Sequence, residues 1–275
     1  MKGIQIWLLV LLAGLCVGQL YAGTVDVIVV VDESASMSTE HAWISPMLGT
    51  LDGALSGLGM NASYALVGYA SGGQGRTLAG VGTLAAAQTA TSGLRTNGGP
   101  TEDGYAALNY ALHNLTFTAG SALNVILITD EDRDNSNAAL TYNVVLNALL
   151  ARNALLNAVV NNPFSCSGAA LGIDQAGTAY KADGSGGFTS CTPGAIGNGE
   201  GNTETAYVPL AQATGGAAWD LNRLRAGGLT ATSFTKAFVD IKVQEIQDQD
   251  VPEPATLALV GLALMGLGFL GRKDS

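Results

Sequence analysis

Three short stretches of this chain deliver hard oxygen donors at points where the backbone leaves a buried strand or enters a helix. In Val25–Met37, VDVIVVVDESASM, an apolar run empties into Asp32, Ser34 and Ser36 at alternate positions, so that one carboxylate and two hydroxyls can converge on one point. In Asn97–Leu108, NGGPTEDGYAAL, Gly98, Gly99 and Pro100 impose a loop that presents Thr101 just ahead of a helix. In Asn124–Asp130, NVILITD, a second apolar run ends on Asp130. Carboxylates and hydroxyls are the donors that hard divalent cations prefer, Mg²⁺ among them. Together, Asp32, Ser34, Ser36, Thr101 and Asp130 make a candidate cation site.

Each stretch alone has an ordinary explanation. Asp-x-Ser-x-Ser serves as a turn that caps a following helix, and Thr101 serves equally well as a helix N-cap. An aspartate at a strand end arises often by chance. The three in one chain, two of them after buried strands, favour a shared site over unrelated turns. The acidic run after Asp130 is a different matter. Asp130, Asp132 and Asp134 alternate like the start of an EF-hand, but Asn135 stands at the sixth position in place of Gly and Thr141 at the twelfth in place of Glu, so that reading is rejected.

The elements that must hold these residues alternate between strand and helix. Ile44, Leu48, Leu51, Leu55 and Leu58 form an apolar stripe over His41–Leu58, stopped by Gly57 and Gly59. Strands are expected over Ser63–Ala70, Arg76–Leu84, Ala154–Val160 and Ala217–Leu221, and helices over Ala85–Ser92, from Tyr105 to Leu115, over Ala138–Arg152 with Asn137 as cap, and over Tyr207–Thr214. Phe234, Phe238 and Ile241 mark a last helix to about Gln247, with Asp248–Asp250 as a polar linker. This order predicts an α/β fold: a doubly wound, mostly parallel sheet. Between 161 and 205 the composition turns to Gly, Ser, Thr and Asn, which reads as an insertion with a hairpin over Ala170–Ala182 turning at Asp174–Gly177.

Composition narrows the function classes. The chain has 275 residues, 48% hydrophobic and 12% charged, with a formal net charge of −10. Such acidity argues against nucleic acid or an anionic surface as partner and suits a cation-binding, soluble domain. Lys2, the apolar run Ile4–Val17 and Ala22 read as a secretory signal peptide over 1–22. In an exported chain the two remaining cysteines, Cys166 and Cys191, are expected to form a disulfide that staples the insertion. At the other end, Ala255–Gly271 is uncharged and would span about 25 Å as a helix, at the short limit for a transmembrane helix. Arg272 and Lys273 beyond it imply a cytoplasmic C-terminus.

With these residues in place, the stretch from Thr24 to Gln249 resembles the von Willebrand factor type A (VWA) domain. That family is a doubly wound α/β fold whose metal-ion-dependent adhesion site (MIDAS) joins an Asp-x-Ser-x-Ser loop, a Thr loop and an Asp at a strand end. Asp32, Ser34 and Ser36 match the first, Thr101 the second and Asp130 the third. The resemblance implies a bound Mg²⁺, Ca²⁺ or Mn²⁺, held in part through water, with one open position for a partner's carboxylate. Glu131, where Gly often follows, and Asp103, in place of a second Thr, depart from the pattern and add negative charge near the site, as do Glu33 and Asp132. Val251-Pro-Glu-Pro254, the apolar run and the basic tip resemble the PEP-CTERM sorting signal of Gram-negative bacteria. This implies an exosortase as processing enzyme, a passing anchorage in the inner membrane, and delivery to the cell surface or an extracellular matrix rich in polysaccharide.

The organisation expected is therefore a signal peptide at 1–22, a VWA domain at 24–249 with the 161–205 insertion, and a sorting and anchor segment at 250–275. The function expected is metal-dependent adhesion to a protein or other acidic extracellular ligand, without catalysis. A structural matrix protein whose metal only stabilises the fold is the alternative. A serine hydrolase ranks third, since only His41 and His113 offer a base and no Gly-x-Ser-x-Gly elbow is present.

Overall fold

A strand buried on both faces has no room for the usual alternation of polar and apolar side chains, and β1, Thr24–Asp32, shows the consequence. Val27, Val29 and Val31 pack into one core layer, while Ile28 and Val30 pack into the other. Asp26 interrupts the run because its carboxylate accepts the backbone N–H of Thr118 at 2.7 Å and its hydroxyl at 2.9 Å. The computed structural model describes residues 23–71, 74–99 and 101–250. The expected signal peptide at 1–22 and the expected transmembrane helix at Ala255–Gly271 lie outside the described residues. Among the described residues, no helix is long and apolar enough to cross a membrane.

β1 pairs in parallel with β2 (Asn61–Ala70) on one side and with β4 (Ala122–Thr129) on the other. β3 (Gln74–Gly82) closes that edge antiparallel to β2. Beyond β4 come β5 (Ala154–Val160), parallel to β4, and β12 (Ala218–Asp220), parallel to β5. With β8 (Gly172–Ile173), β9 (Ala179–Ala182) and β10 (Phe188–Cys191), the nine-stranded order is β10-β9-β8-β12-β5-β4-β1-β2-β3, a parallel centre with antiparallel strands at both edges. Helices cover both faces. One layer holds α1 (Ser38–Gly57), α2 (Leu84–Ala90) and α7 (Gly228–Asp250); the other holds α3 (Gly104–Asn114), α4 (Tyr142–Leu150) and α5 (Thr203–Ala213). A short α6, Leu221–Arg225, joins β12 to α7. Trp219 of β12 and Trp43 of α1 clasp Phe234 and Phe238 of α7 through edge-on ring contacts, and these fix the long helix to the sheet.

Three expectations need correction. The helix after the acidic run begins at Tyr142 and not at Ala138, because Asn135 takes a left-handed φ of 51° and Asp103 draws in the N–H of Asn137. Its cap is therefore Thr141, whose hydroxyl accepts from Val144, and not Asn137. Asp248–Asp250 is helical instead of a linker. Gln249 continues α7 because its side chain accepts from Asn124 Nδ2 at 2.9 Å and donates to the carbonyl of Leu123, which ties the polar helix end to the sheet. The 161–205 segment contributes to both sheets. Its strands β8 (Gly172–Ile173), β9 (Ala179–Ala182) and β10 (Phe188–Cys191) extend the central sheet, and β6 (Phe164–Ser165), β7 (Ala169–Ala170) and β11 (Ala195–Ile196) form a small second sheet. The hairpin turn at Asp174 is where the sequence placed it, with Asp174 Oδ1 accepting from Ala176 and Thr178.

Cys166 and Cys191 are disulfide-bonded and link the small sheet to β10. With a sequence separation of 25, the constraint on the unfolded chain corresponds to about 3.5 kcal/mol. The Cys166→Ser/Cys191→Ser double variant is expected to lose about that much unfolding free energy in urea while β1 and β4 stay in register. A variant as stable as the parent protein would show that the bond contributes nothing to the fold.

Candidate functional site

The chain leaves β1 for β2 on one side and, after α3, returns to β4 on the other side of β1. The cleft between the carboxyl ends of β1 and β4 is therefore the point where the sheet order reverses, the place where open α/β sheets receive ligands. Val31 of β1 lies opposite Ile128 of β4, which brings Asp32 beside Thr129 and Asp130. Asp32 Oδ1 accepts the N–H of Ser34 at 2.7 Å, a turn closed by the aspartate itself. Its Oδ2 accepts the Thr129 hydroxyl at 2.9 Å.

From that turn a continuous chain of oxygens crosses the cleft. Ser36 Oγ donates to Asp130 Oδ1 at 3.1 Å, and Ser34 Oγ lies 2.9 Å from Ser36 Oγ. Because Ser36 has one proton and spends it on Asp130, Ser34 must be the donor between the two serines. Asp32, Ser34, Ser36 and Asp130 are thus brought together. Among the described residues no hydrogen bond joins Thr101 to these four. Its loop is anchored on either side: Gly98 N–H donates to the carbonyl of Glu33 at 2.9 Å, and Glu102 and Asp134 exchange bonds of 2.6 and 3.0 Å. Gly98 is required there, since a Cβ would sit 2.9 Å from the Glu33 carbonyl oxygen.

The electrostatics of the cleft are those of a surplus of buried negative charge. Burial pushes Asp32 up to about 6, with hydrogen bonds from Ser34 and Thr129 opposing it and the charge of Asp130 adding to it. Glu102, 2% exposed, rises to about 8 through burial and then through the charges of Asp32, Glu131, Asp134 and Asp130. Glu131 rises for the same reasons, burial first and Asp130 next. Arg225 is the cation facing this group. Its Nη2 donates to Asp130 Oδ2 at 2.7 Å and to the carbonyl of Ser36 at 3.0 Å, while Nε donates to Glu40 Oε1 at 2.7 Å. Burial opposes ionisation of Glu40, but bonds from Arg225 and Thr39 overcome it and hold its pKa below the ordinary value.

Two of the acidic neighbours expected to charge the site do something else. Glu33, 1% exposed, pairs with Arg76 and accepts the N–H of Arg95 at 2.7 Å. Asp103, fully buried, caps α3 by accepting from Tyr105 and Ala106 and pairs with Arg133 at 3.1 Å. It is thus Asp103, and not Thr101, that caps this helix. Asp132 Oδ2 accepts the N–H of Asn202, and so docks the end of the 161–205 segment.

Sequence reasoning missed Glu102, Thr129, Glu40 and Arg225. Glu102 and Thr129 were adjacent to residues already chosen, and that adjacency was the available signal. Arg225 had none, since it reaches Asp130 across 95 residues. His41 was considered as a base, yet its Nε2 lies 2.7 Å from the carbonyl of Asp32. A carbonyl only accepts, so Nε2 carries a proton and clamps the start of α1 to the end of β1.

Among the described residues no three His, Cys, Asp or Glu side chains form a metal cage. A cation here would depend on hydroxyls and water beside Asp32 and Asp130, and the donors present fit a hard ion of that kind. A cavity of about 330 Å³ opens at the opposite pole, between Leu155, Asp174 and Glu245, away from these loops.

Comparison with known proteins locates the tail more firmly than the domain. Residues 250–273 match the PEP-CTERM protein-sorting motif, so the chain carries that signal at its C-terminal end. A search of curated proteins by sequence finds no match. Among solved structures, an aerotolerance-related membrane protein from Bacteroides fragilis, carrying multiple mutations to serines, aligns over 82% of this chain and 99% of its own, at 18% identity and a TM-score of 0.49. Proximal thread matrix protein 1 from the mussel byssus aligns at 15% identity and a TM-score of 0.40. A form of that protein with a zinc-occupied MIDAS motif aligns at 15% identity and a TM-score of 0.41. Each of these two covers 50% of this chain, which spans 36% of the mussel protein's length.

Proposed function

We propose that this chain is an exported, non-enzymatic binding module of the VWA type. Asp32, Ser34, Ser36, Thr101 and Asp130 would hold a divalent cation, Mg²⁺ or else Ca²⁺ or Mn²⁺, at the carboxyl ends of β1 and β4. The observation that carries the reading is the unbroken bonded row Asp32–Ser34–Ser36–Asp130 at the point of sheet reversal. A bound divalent ion would supply a concentrated positive charge with a coordination position left for a carboxylate of a protein or other acidic partner. The chain's own residues do the rest. Asp32 and Asp130 provide charge, the two serines provide neutral oxygens at the rim, and Thr129 and the Ser34 N–H hold the Asp32 carboxylate in one orientation. Glu131 adds negative charge that favours any cation, and Glu102, raised to about 8, would gain charge where a bound cation draws off its proton.

The sorting motif at 250–273 supports export of the chain. The reading adds a signal peptide at 1–22, recognition of the tail by an exosortase-type enzyme, a transient anchor in the inner membrane, and a final place on the surface or in the matrix of a Gram-negative bacterium. One observation favours the second reading, a structural matrix protein whose cation only stabilises the fold: Arg225 already neutralises part of the carboxylate cluster. A serine hydrolase is less well supported, because Ser34 and Ser36 bond each other and Asp130 while His41 bonds backbone.

Calorimetric titration of Mg²⁺, Mn²⁺ or Ca²⁺ into the full chain is expected to show one ion bound per molecule. Ser36→Ala should weaken that binding about tenfold, the loss of one oxygen donor to a charged group. Absence of binding heat for all three ions at millimolar concentration would end the adhesion-site reading. Retention of surface material in a pull-down, lost on adding chelator, would separate adhesion from a purely structural role.

A further inference from the structure

Arg225 stands out because it reaches the cleft from outside the three loops. It is the last residue of α6, whose start is held by Asp220 through Asn222 N–H and Arg223. The side chain is 28% exposed, and its guanidinium bridges two acids from different elements, Glu40 of α1, 1% exposed, and Asp130 after β4, 7% exposed. Its Nη2 also lies 3.0 Å from the carbonyl of Ser36, whose own hydroxyl belongs to the oxygen row. A full positive charge is therefore fixed beside the place where a cation would settle.

Resting on the reading of this cleft as a cation site, we infer that Arg225 is a tethered competitor of the divalent ion. It holds Asp130 in the cation-free protein and lowers the affinity of the site. Two effects act in the same direction. A carboxylate that shares its charge with a guanidinium is a poorer donor to a second cation, and two cations in a partly buried cleft repel each other strongly. Arg225 also makes the cluster tolerable without an ion, since among the described residues it is the ion-pair partner of Asp130, which faces Asp32 and Glu131. The affinity of the site is then a balance between an internal cation and an external one. The opposite role, a supporting residue that orients Asp130 for the ion, predicts the opposite sign on removal.

The test is titration of Mg²⁺ and of Mn²⁺ into the full chain, the Arg225→Ala variant, and the Arg225→Ala/Glu40→Gln variant, in which Glu40 is not left charged and unpaired. Bound Mn²⁺ is counted independently by its electron paramagnetic resonance signal. The expected result is binding about tenfold tighter in both variants than in the parent. Binding that is unchanged or weaker in both, with the parent still binding, overturns the competitor role and leaves the cation site standing. No binding in any of the three proteins removes the cation site and this inference together.

Discussion

Replacing Asp32 by asparagine is expected to stabilise the cation-free protein at pH 8 and at the same time to abolish its stabilisation by Mg²⁺. The unfolded chain ionises Asp32 at the ordinary value of 3.8, whereas the folded protein holds it to about 6. Between those values the native state binds the extra proton, so stability falls as pH rises from about 4 through about 6. The difference, about 2 pH units, corresponds to about 3 kcal/mol lost by pH 8. Glu102, raised to about 8, acts with the same sign over a higher window, and Glu40, held low by Arg225, acts with the opposite sign only in acid.

Asparagine keeps the bond from Ser34 and removes the charge. Thr129 must then turn its hydroxyl, at a cost of about 1 kcal/mol, which leaves a net gain of about 2 kcal/mol at pH 8 and a flatter pH profile. A divalent ion would act on the parent in the reverse sense, since it binds the ionised native form and adds stability that grows with pH. Thermal melts at pH 5, 6.5 and 8, with Mg²⁺ and with chelator, give both quantities. A parent protein whose midpoint does not fall between pH 5 and pH 8 in chelator, or an asparagine variant still raised by Mg²⁺, would contradict the assignment of Asp32 as the buried charge of the site.

Much of the scaffold was readable because its causes are local. β1 and β4 show as apolar runs since both faces of a central parallel strand are buried, and α1 shows as a stripe since only one face is. The row from Asp32 to Ser36 and the position of Asp130 follow from strand ends, which the same runs locate. The parts that were not readable depend on partners distant in sequence. Glu33 looked like a contributor to the site and is instead neutralised by Arg76, 43 residues on. Asp103 looked like a further charge and is consumed by a helix cap and Arg133. The helical course of 248–250 depends on Gln249 meeting Asn124. Nothing in the local pattern distinguishes an acid that meets an arginine in the fold from one that meets a cation.

The pair formed by Glu33 and Arg76 gives the second large effect. Glu33 is the residue between Asp32 and Ser34, and its side chain turns away from the cleft into a slot that Gly68 of β2 leaves open, where a Cβ would sit 2.5 Å from Cδ. Arg76 Nε reaches it at 2.8 Å from β3, and Arg95 N–H at 2.7 Å from the loop that leads to Thr101. The Arg76→Met variant keeps much of the apolar stem and removes the charge, leaving Glu33 buried with one backbone donor. Breaking a buried pair in this way costs about 3–5 kcal/mol, and the lower end is expected because Arg76 is 32% exposed and water can reach the vacated position. Glu33→Gln removes charge from the other side, keeps two acceptor bonds to its oxygen, and should cost about 1 kcal/mol. The asymmetry matters for function as well as for stability, because the Glu33 carbonyl holds Gly98 and its carboxylate holds Arg95, and these two bonds keep the Thr101 loop against the Asp32 turn. Arg76→Met should therefore lose cation affinity along with stability, although among the described residues no hydrogen bond joins Arg76 to the five site residues. Urea unfolding of both variants, with Mg²⁺ titration of each at low denaturant, measures the two losses. Arg76→Met within 1 kcal/mol of the parent would mean that Glu33 is sustained by the backbone donor alone and that the loop does not need the pair.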